Sequence, residues 1–383
     1  MSLPRRLLLL SCVLLALTSS GCWNYKEVDD MGIVAGVAVD LEPETGKLLL
    51  TLEMVDTKQS LEKSQSNSQM VSLSGDTLFE IVRNMISMTG KKLFWSHAKT
   101  IVLSKEVAQQ SVVSIIDWFT RDTETRADVY IFISDEPTAR EVLDREGTTD
   151  SVLSFELEQM MRQEKYTSTA PVVEIWDFID KLESRGKMAI APVIDLMEIG
   201  KEKTERVHGT AVFYRDKMVG KLNGDETKAM LFVKNEIRGG VLAVQNKLGK
   251  PEFSLEIYKN KTKIKPVGTA DSLRLEIHTT TYTGLDEVMT TNGFTHPTSI
   301  EEIQELAEEQ LEEEMKAVIQ KMQQQYKTDI FGFGEYIHEN KPKLWEEIKD
   351  EWNEMFTELP ITVSSEIIIE STAKTSRSIR IGK

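Results

Sequence analysis

The chain has almost no cysteine. Of its 383 residues only Cys12 and Cys22 carry a thiol, and Cys12 lies inside an apolar leader, so the body that follows has no means of forming a disulfide or a cysteine metal site. Histidine is equally sparse: His97, His208, His278, His296 and His338 stand apart, with no two at ligand spacing and no H-E-x-x-H pattern. There is no P-loop, no G-x-S-x-G elbow and no dinucleotide-binding glycine fingerprint. After Cys22 no apolar run approaches the roughly 18 residues that mark a membrane-crossing helix. Positive charge is short too. The net charge is -16, and -18 once Arg5 and Arg6 leave with the leader (-16 minus 2). Such a body is repelled by nucleic acid and by anionic phospholipid, which excludes nucleic acid as a partner and leaves membrane attachment to something other than basic residues. Acidic runs such as Glu312-Glu313-Glu314 read as a solvated helix face, because catalytic carboxylates need contrasting environments. The sequence therefore predicts no enzyme and no cofactor.

What is present begins with the leader. Arg5 and Arg6 precede an apolar run from Leu7 to Leu17, followed by Thr18, Ser19, Ser20, Gly21 and then Cys22. The run is too short to span a bilayer and fits the core of an export signal. Cys22 directly after small residues is similar to the lipobox of bacterial lipoproteins, although Ser19 stands where Leu is common. The resemblance implies cleavage before Cys22 and a covalent diacylglycerol and acyl lipid on its thiol. Two acyl chains hold a protein at a bilayer, at about 0.8 kcal/mol per buried methylene.

Along the body, Ile33–Val39 and Leu48–Val55 read as a hairpin, 57–74 as an exposed loop, and a helix follows behind an Asp76 N-cap. A strand at 99–103, a helix at 104–119 and a doubly apolar strand at 129–133 come next. Thr138 with Glu141 caps a short helix, and helices at 152–162 and 172–182 lead to a strand at 188–197. The charged stretch 201–206 marks the expected boundary. Beyond it the pattern predicts hairpins at 207–219 and at 253–267, the latter turning at Asn260, then a strand at 273–282. A helix of roughly 27 residues and about 40 Å starts at Ser299, and a helix at 345–356 precedes a last strand at 361–369. Trp118, Trp176, Trp345 and Trp352 fall in apolar helical patterns and are expected in the core. Phe331-Gly332-Phe333-Gly334, without a following Lys or Ser/Thr, reads as a tight turn packing two aromatics. The expected architecture is α+β and mixed α/β: a signal peptide at 1–21, an N-terminal mixed α/β domain at 22–200, and a C-terminal domain at 206–383 whose antiparallel sheet is backed by the long helix. A division of the latter into 206–268 and 269–383 is the alternative.

The run from Gly21-Cys22-Trp23-Asn24 to Val39-Asp40 resembles the mature start of the Ger(x)C family, the lipoprotein C subunit of the GerA-type nutrient germinant receptors of endospore-forming bacteria. Gly75–Glu80, Trp95–Lys99, Arg121-Asp122, Gly209–Phe213, Met218–Leu222, Asp225–Thr227 and Asp329–Gly334 follow in the family's order, Gly209–Phe213, Met218–Leu222 and Asp225–Thr227 resembling its β-rich core. Asn24 stands where the family usually has Asp. The resemblance implies a peripheral subunit on the outer face of the spore inner membrane, lipid-anchored at Cys22. Its partners would be the integral-membrane A and B subunits, in a receptor for amino acids, sugars or nucleosides. Trp95, His97, Lys99, Phe331 and Phe333 are the expected docking residues. The alternatives are a free-standing substrate-binding lipoprotein, argued against by the absence of repeated β-α-β lobes, and a membrane-held hydrolase, for which no acid, nucleophile or metal set is found.

Overall fold

The computed structural model describes Pro4 and residues 31–55, 68–121, 124–144, 152–200, 202–245, 251–288 and 299–372. Cys22 and residues 56–67 lie outside the described residues. The first sheet starts with β1 (Met31–Leu41), β2 (Leu48–Val55) and β3 (Ser68–Gly75), an antiparallel meander. Helix α1 (Leu78–Thr89) leads to the short β4 (Lys92–Phe94), which pairs with the start of β1, and to β5 (Thr100–Ser104). Helices α2 (Lys105–Gln110) and α3 (Val113–Arg121) precede β6 (Tyr130–Ser134). Then come α4 (Ala139–Leu143), α5 (Leu153–Gln163), α6 (Ile175–Glu183) and β7 (Ile190–Ile199). β1, β5, β6 and β7 run parallel in that order, and β8 (Glu202–Tyr214) and β9 (Lys217–Leu222) close the sheet antiparallel. Parallel strands are covered on both faces, which is why β5 is buried at every position.

Two buried carboxylates fix the helices on one of those faces. Asp40 at the end of β1 accepts the N–H groups of Ala139 (2.6 Å) and Arg140 (3.0 Å) at the start of α4. Glu53 in β2 accepts those of Leu153 (2.8 Å) and Ser154 (2.9 Å), and the Ser154 hydroxyl (2.5 Å), at the start of α5. Helix N-termini leave N–H groups without partners and favour negative charge, so each carboxylate satisfies donors about a hundred residues away in sequence. Burial nevertheless pushes both carboxyl groups above their ordinary pKa, the hydrogen bonds opposing it.

Helix α7 (Gly224–Val233) leads to the second sheet: β10 (Val241–Gln245), β11 (Pro251–Val267), β12 (Arg274–Val288) and, after helices α8 (Ile300–Lys321), α9 (Phe333–Asn340), α10 (Pro342–Ile348) and α11 (Trp352–Glu358), β13 (Ile361–Thr372). Ile303, Ala307, Leu311, Met315 and Val318 of α8 are buried, as the apolar stripe predicts. The polar side chains of α8 close both edges of this sheet. Gln310 accepts the Gln245 N–H (2.8 Å) and donates to the Ala243 carbonyl (3.0 Å) on β10. Glu312 and Glu308 accept the N–H groups of Ser365 (3.0 Å) and Ile367 (2.8 Å) on β13.

Several expectations are corrected. The second sheet is mixed: β10, β11 and β12 are antiparallel, but β13 runs parallel to β12. A strand that returns through a helical crossover arrives parallel, and α8 to α11 are that crossover. The hairpin turning at Asn260 is one continuous strand, β11. Its bulge near Ile257–Lys259 lets Asn260 face inward, where its Oδ1 accepts from Thr279 (2.7 Å) and Thr281 (2.8 Å). The 104–119 helix is two, broken where the Val112 N–H donates to Asp216 O at 3.0 Å. The 345–356 helix is also two, and the long helix ends at Lys321 in a π turn over Met322–Tyr326. Ser68–Gly75, all but its last residue expected as loop, is the edge strand β3, whose polar residues suit a half-solvated edge. The cap of α1 is Thr77, which accepts the Glu80 N–H, and not Asp76. Asp225–Thr227, which resemble part of the family's β-rich core, open α7, where Asn223 and Glu226 form a capping box. Glu202–Arg206 of the charged stretch open β8, paired with β7, so the first sheet runs on to Leu222.

Candidate functional site

Asp329 organises the Phe331–Gly334 turn. Its carboxylate accepts N–H groups from Phe331 (3.1 Å), Gly332 (3.0 Å) and Gly334 (3.0 Å), and the Trp352 indole N–H (3.2 Å). Gly332 has φ 79°, a left-handed conformation that favours glycine. Phe331 stacks on Phe333 with centroids 5.1 Å apart, and Phe333 packs against Phe356. Both Phe331 and Phe333 are buried, so their role is to hold α9 and α11 together, which corrects the expectation that they dock a partner. Trp95 is corrected in the same way: it is buried edge-on against Trp118 (5.0 Å) and Phe119 (6.2 Å). His97 is exposed beside Phe94, and Lys99 is half-buried, pairing at 3.1 Å with Glu158, which also takes Arg162 at 2.7 Å. Of the five expected docking residues, only these two put polar side chains at the surface.

Lys99 and the Asp329 turn lead to a common cleft of about 500 Å³. Arg162, the partner of Glu158, lines it, and so does Lys187, which pairs at 2.9 Å with Glu335 just after the turn. Glu164 closes α5 into the cleft, its Oε1 accepting the Ala170 N–H at 3.0 Å, and burial raises its carboxyl to about 7. Lys181 lies buried beside Asp177 (2.5 Å). Burial, helped by Lys234, pushes its ammonium below the ordinary lysine range. Trp176, expected in the core, is 55% exposed on the rim. The buried face of α6 passes through Ile175 and Phe178, and one residue along a helix turns about 100°, so Trp176 points outward. Its indole N–H donates to Glu174 at 2.5 Å. Arg238 completes the lining.

Chemically the cleft interleaves cations and carboxylates beside an exposed indole. The Ser168 hydroxyl is committed to the Gly239 carbonyl at 2.8 Å. Among the described residues no three His, Cys, Asp or Glu side chains gather as a metal set, and no helix is long and apolar enough to cross a membrane. Sequence reading missed Glu164, Lys181 and Arg238. For Glu164 and Lys181 the visible signal was a charged residue near the end of an apolar helical pattern, which is too common to single out a cleft, and Arg238 follows a helix that shows no such pattern.

Comparison with known proteins covers both halves of the chain. A family model described as the spore germination protein N-terminal domain matches residues 24–196, and one described as spore germination B3/GerAC like, C-terminal, matches 208–373. Among relatives from Bacillus subtilis (strain 168), spore germination protein YndF is 24% identical over 389 residues, spanning 93% of this chain and 94% of that protein. Spore germination protein B3 is 25% identical (88% and 90%), and spore germination protein A3 is 26% identical (91% and 92%). A solved structure described as the crystal structure of the GerBC protein superposes with a TM-score of 0.53 at 22% identity, covering 87% of this chain and 97% of that one.

Proposed function

The chain belongs to the GerAC-like family of spore germination proteins, and from that premise we propose that it is the non-enzymatic, lipid-anchored C subunit of a nutrient germinant receptor. In this reading Cys22 carries the lipid, the body lies on the outer face of the spore inner membrane, and it assembles there with the two integral-membrane subunits. The observation that carries the proposal is the ordered match of both halves to spore germination proteins, each relative being matched over most of its own length. Anchoring confines the body to a thin layer and raises its effective concentration near membrane partners without any new contact. His97, Lys99 and the cleft rim at Trp176 are the surfaces offered for docking. A substrate-binding lipoprotein built of two repeated lobes is a poorer fit, because one hydrophobic core runs from the first sheet through α8 into the second. The test is affinity purification of tagged protein from detergent-solubilised spore membranes, with Cys22→Ala alongside. Co-purification of polytopic subunits, weakened in the variant, is expected; recovery of the chain alone from both would overturn the assembly.

A further inference from the structure

Beyond the bulge in β11, Asn260, Thr262, Ile264 and Pro266 turn toward the core, while Lys259, Lys261, Lys263 and Lys265 all stand exposed on the outer face of the second sheet. At about 3.3 Å per residue this row is roughly 20 Å long. The register sets Lys263 beside His278 and Lys265 beside Glu276 on β12, and Arg274 ends the same face. Across β11, β12 and β13 over this stretch, five cations (the four lysines and Arg274) face two carboxylates, Glu276 and Glu366, a local balance of +3 (five minus two). Glu276 is shared between Lys265 (3.5 Å) and Arg274 (3.3 Å), and Glu366 lies 4.0 Å from His278. Among the described residues no ion pair forms at Lys259, Lys261 or Lys263.

Lysine is a poor strand residue, and natural sheets use it chiefly to blunt exposed edges. Among the described residues β11 pairs with β10 only as far as Glu256, so along the lysine row it has β12 as its one strand partner, and the lysines blunt that open edge as well as standing on the outer face. A chain of net charge -16 has ample carboxylate with which to neutralise such a row, yet leaves it uncompensated. The acidic balance elsewhere does not cancel it, because at physiological salt charges beyond about 8 Å are largely screened.

We propose that this outer face of the second sheet lies against an anionic lipid surface, so that the subunit is held by electrostatics as well as by its anchor. The inference deepens the membrane-apposed reading above, and the test keeps the two separate by using the full chain with Cys22→Ala, which has no lipid site. Partition is measured by flotation with phosphatidylcholine vesicles and with vesicles containing phosphatidylglycerol, at low and physiological salt. Binding is expected only to the anionic vesicles and is expected to weaken with salt. A lysine near such a surface multiplies partition about five-fold, so Lys261→Gln with Lys263→Gln lowers it about 25-fold. Lys261→Arg with Lys263→Arg keeps it, as does Lys105→Gln with Lys217→Gln elsewhere on the surface. Equal binding to neutral vesicles, no loss in the Gln pair, or an equal loss in the Arg or control pair would overturn the assignment. Fatty-acid labelling of the wild-type chain reports on Cys22 independently.

Discussion

Glu164→Gln tests whether the cleft holds a carboxyl that resists ionisation. The side chain is buried and accepts backbone hydrogen bonds from Ala170 and Thr169, and burial outweighs those bonds and the attraction of Lys228, lifting the group from 4.5 to about 7. A carboxyl whose folded pKa is raised binds its proton more tightly in the folded than in the unfolded chain. Its stabilising contribution is therefore complete below about pH 4.5 and is lost as pH rises through 7. A shift from 4.5 to about 7 at 1.36 kcal/mol per unit is about 3 kcal/mol. Glutamine keeps the acceptor oxygen and cannot ionise, so the variant is expected to match wild type near pH 4, to pull ahead between pH 4.5 and 7, and to exceed it by about 3 kcal/mol near pH 8. Urea unfolding of both proteins at a series of pH values, followed by tryptophan fluorescence, measures the difference. Asp40, Glu53, Glu314 and Asp329, whose carboxyls burial also raises, are common to both chains and cancel in the subtraction. Parallel stability profiles for the two proteins would refute the reasoning.

Two further outcomes follow from the buried groups. Glu53→Ala leaves the Leu153 and Ser154 N–H groups and the Ser154 hydroxyl without their acceptor, at about 1–3 kcal/mol for each buried unsatisfied group, and thermal melting is expected to fall by many degrees. Phe333→Ala opens a cavity in the core and is expected to cost about 3–5 kcal/mol, lowering the melting temperature and receptor recovery together. His97→Ala, at an exposed site, should leave melting unchanged, so any loss of recovery there would be an effect on docking alone.

Much of the fold was legible because its strongest elements obey one rule each. β6 is buried on both sides and reads as an unbroken apolar run, and α8 lies on a sheet and reads as one stripe. α7 was invisible for the opposite reason: from Ala229 to Val233 every side chain is buried, so no period survives. Asn260 looked like a turn residue because asparagine's usual reason to interrupt a strand is a turn; here its side chain serves a threonine ladder in the interior. The site was less legible than the fold. Cys22 is visible only as sequence, whereas Trp176 and the aromatics Trp95, Phe331 and Phe333 exchanged roles, because an aromatic's face depends on a rotation of one residue or on the direction of a turn. The alternating lysines of β11 were in plain view, but their meaning needed the continuity of the strand.

On the proposed anchoring, the edges of the sheets bear on self-association of the body. Confinement by a lipid raises local concentration, and unpaired strand edges are templates for adding another chain. Three edges are closed from within. Gln310 of α8, with the Lys228 ammonium donating to Val241 O (2.8 Å), occupies β10. Glu308 and Glu312 of the same helix occupy β13. On β9 the Tyr326 hydroxyl accepts from the Lys221 N–H (3.3 Å) and donates to the Lys221 carbonyl (3.1 Å), and its ring occupies the space a side chain at Gly220 would need. One helix and the turn that ends it thus satisfy backbone groups on three strands of two different sheets. The glutamates that read in sequence as an idle solvated face include two that do this, which is why α8 is acidic toward the sheet edge as well as toward water. With those three edges occupied, the half-solvated edge of β3 is the strand edge left at the end of a sheet, and beside it stand two side-chain surfaces, the cleft and the lysine face, where charge decides what binds.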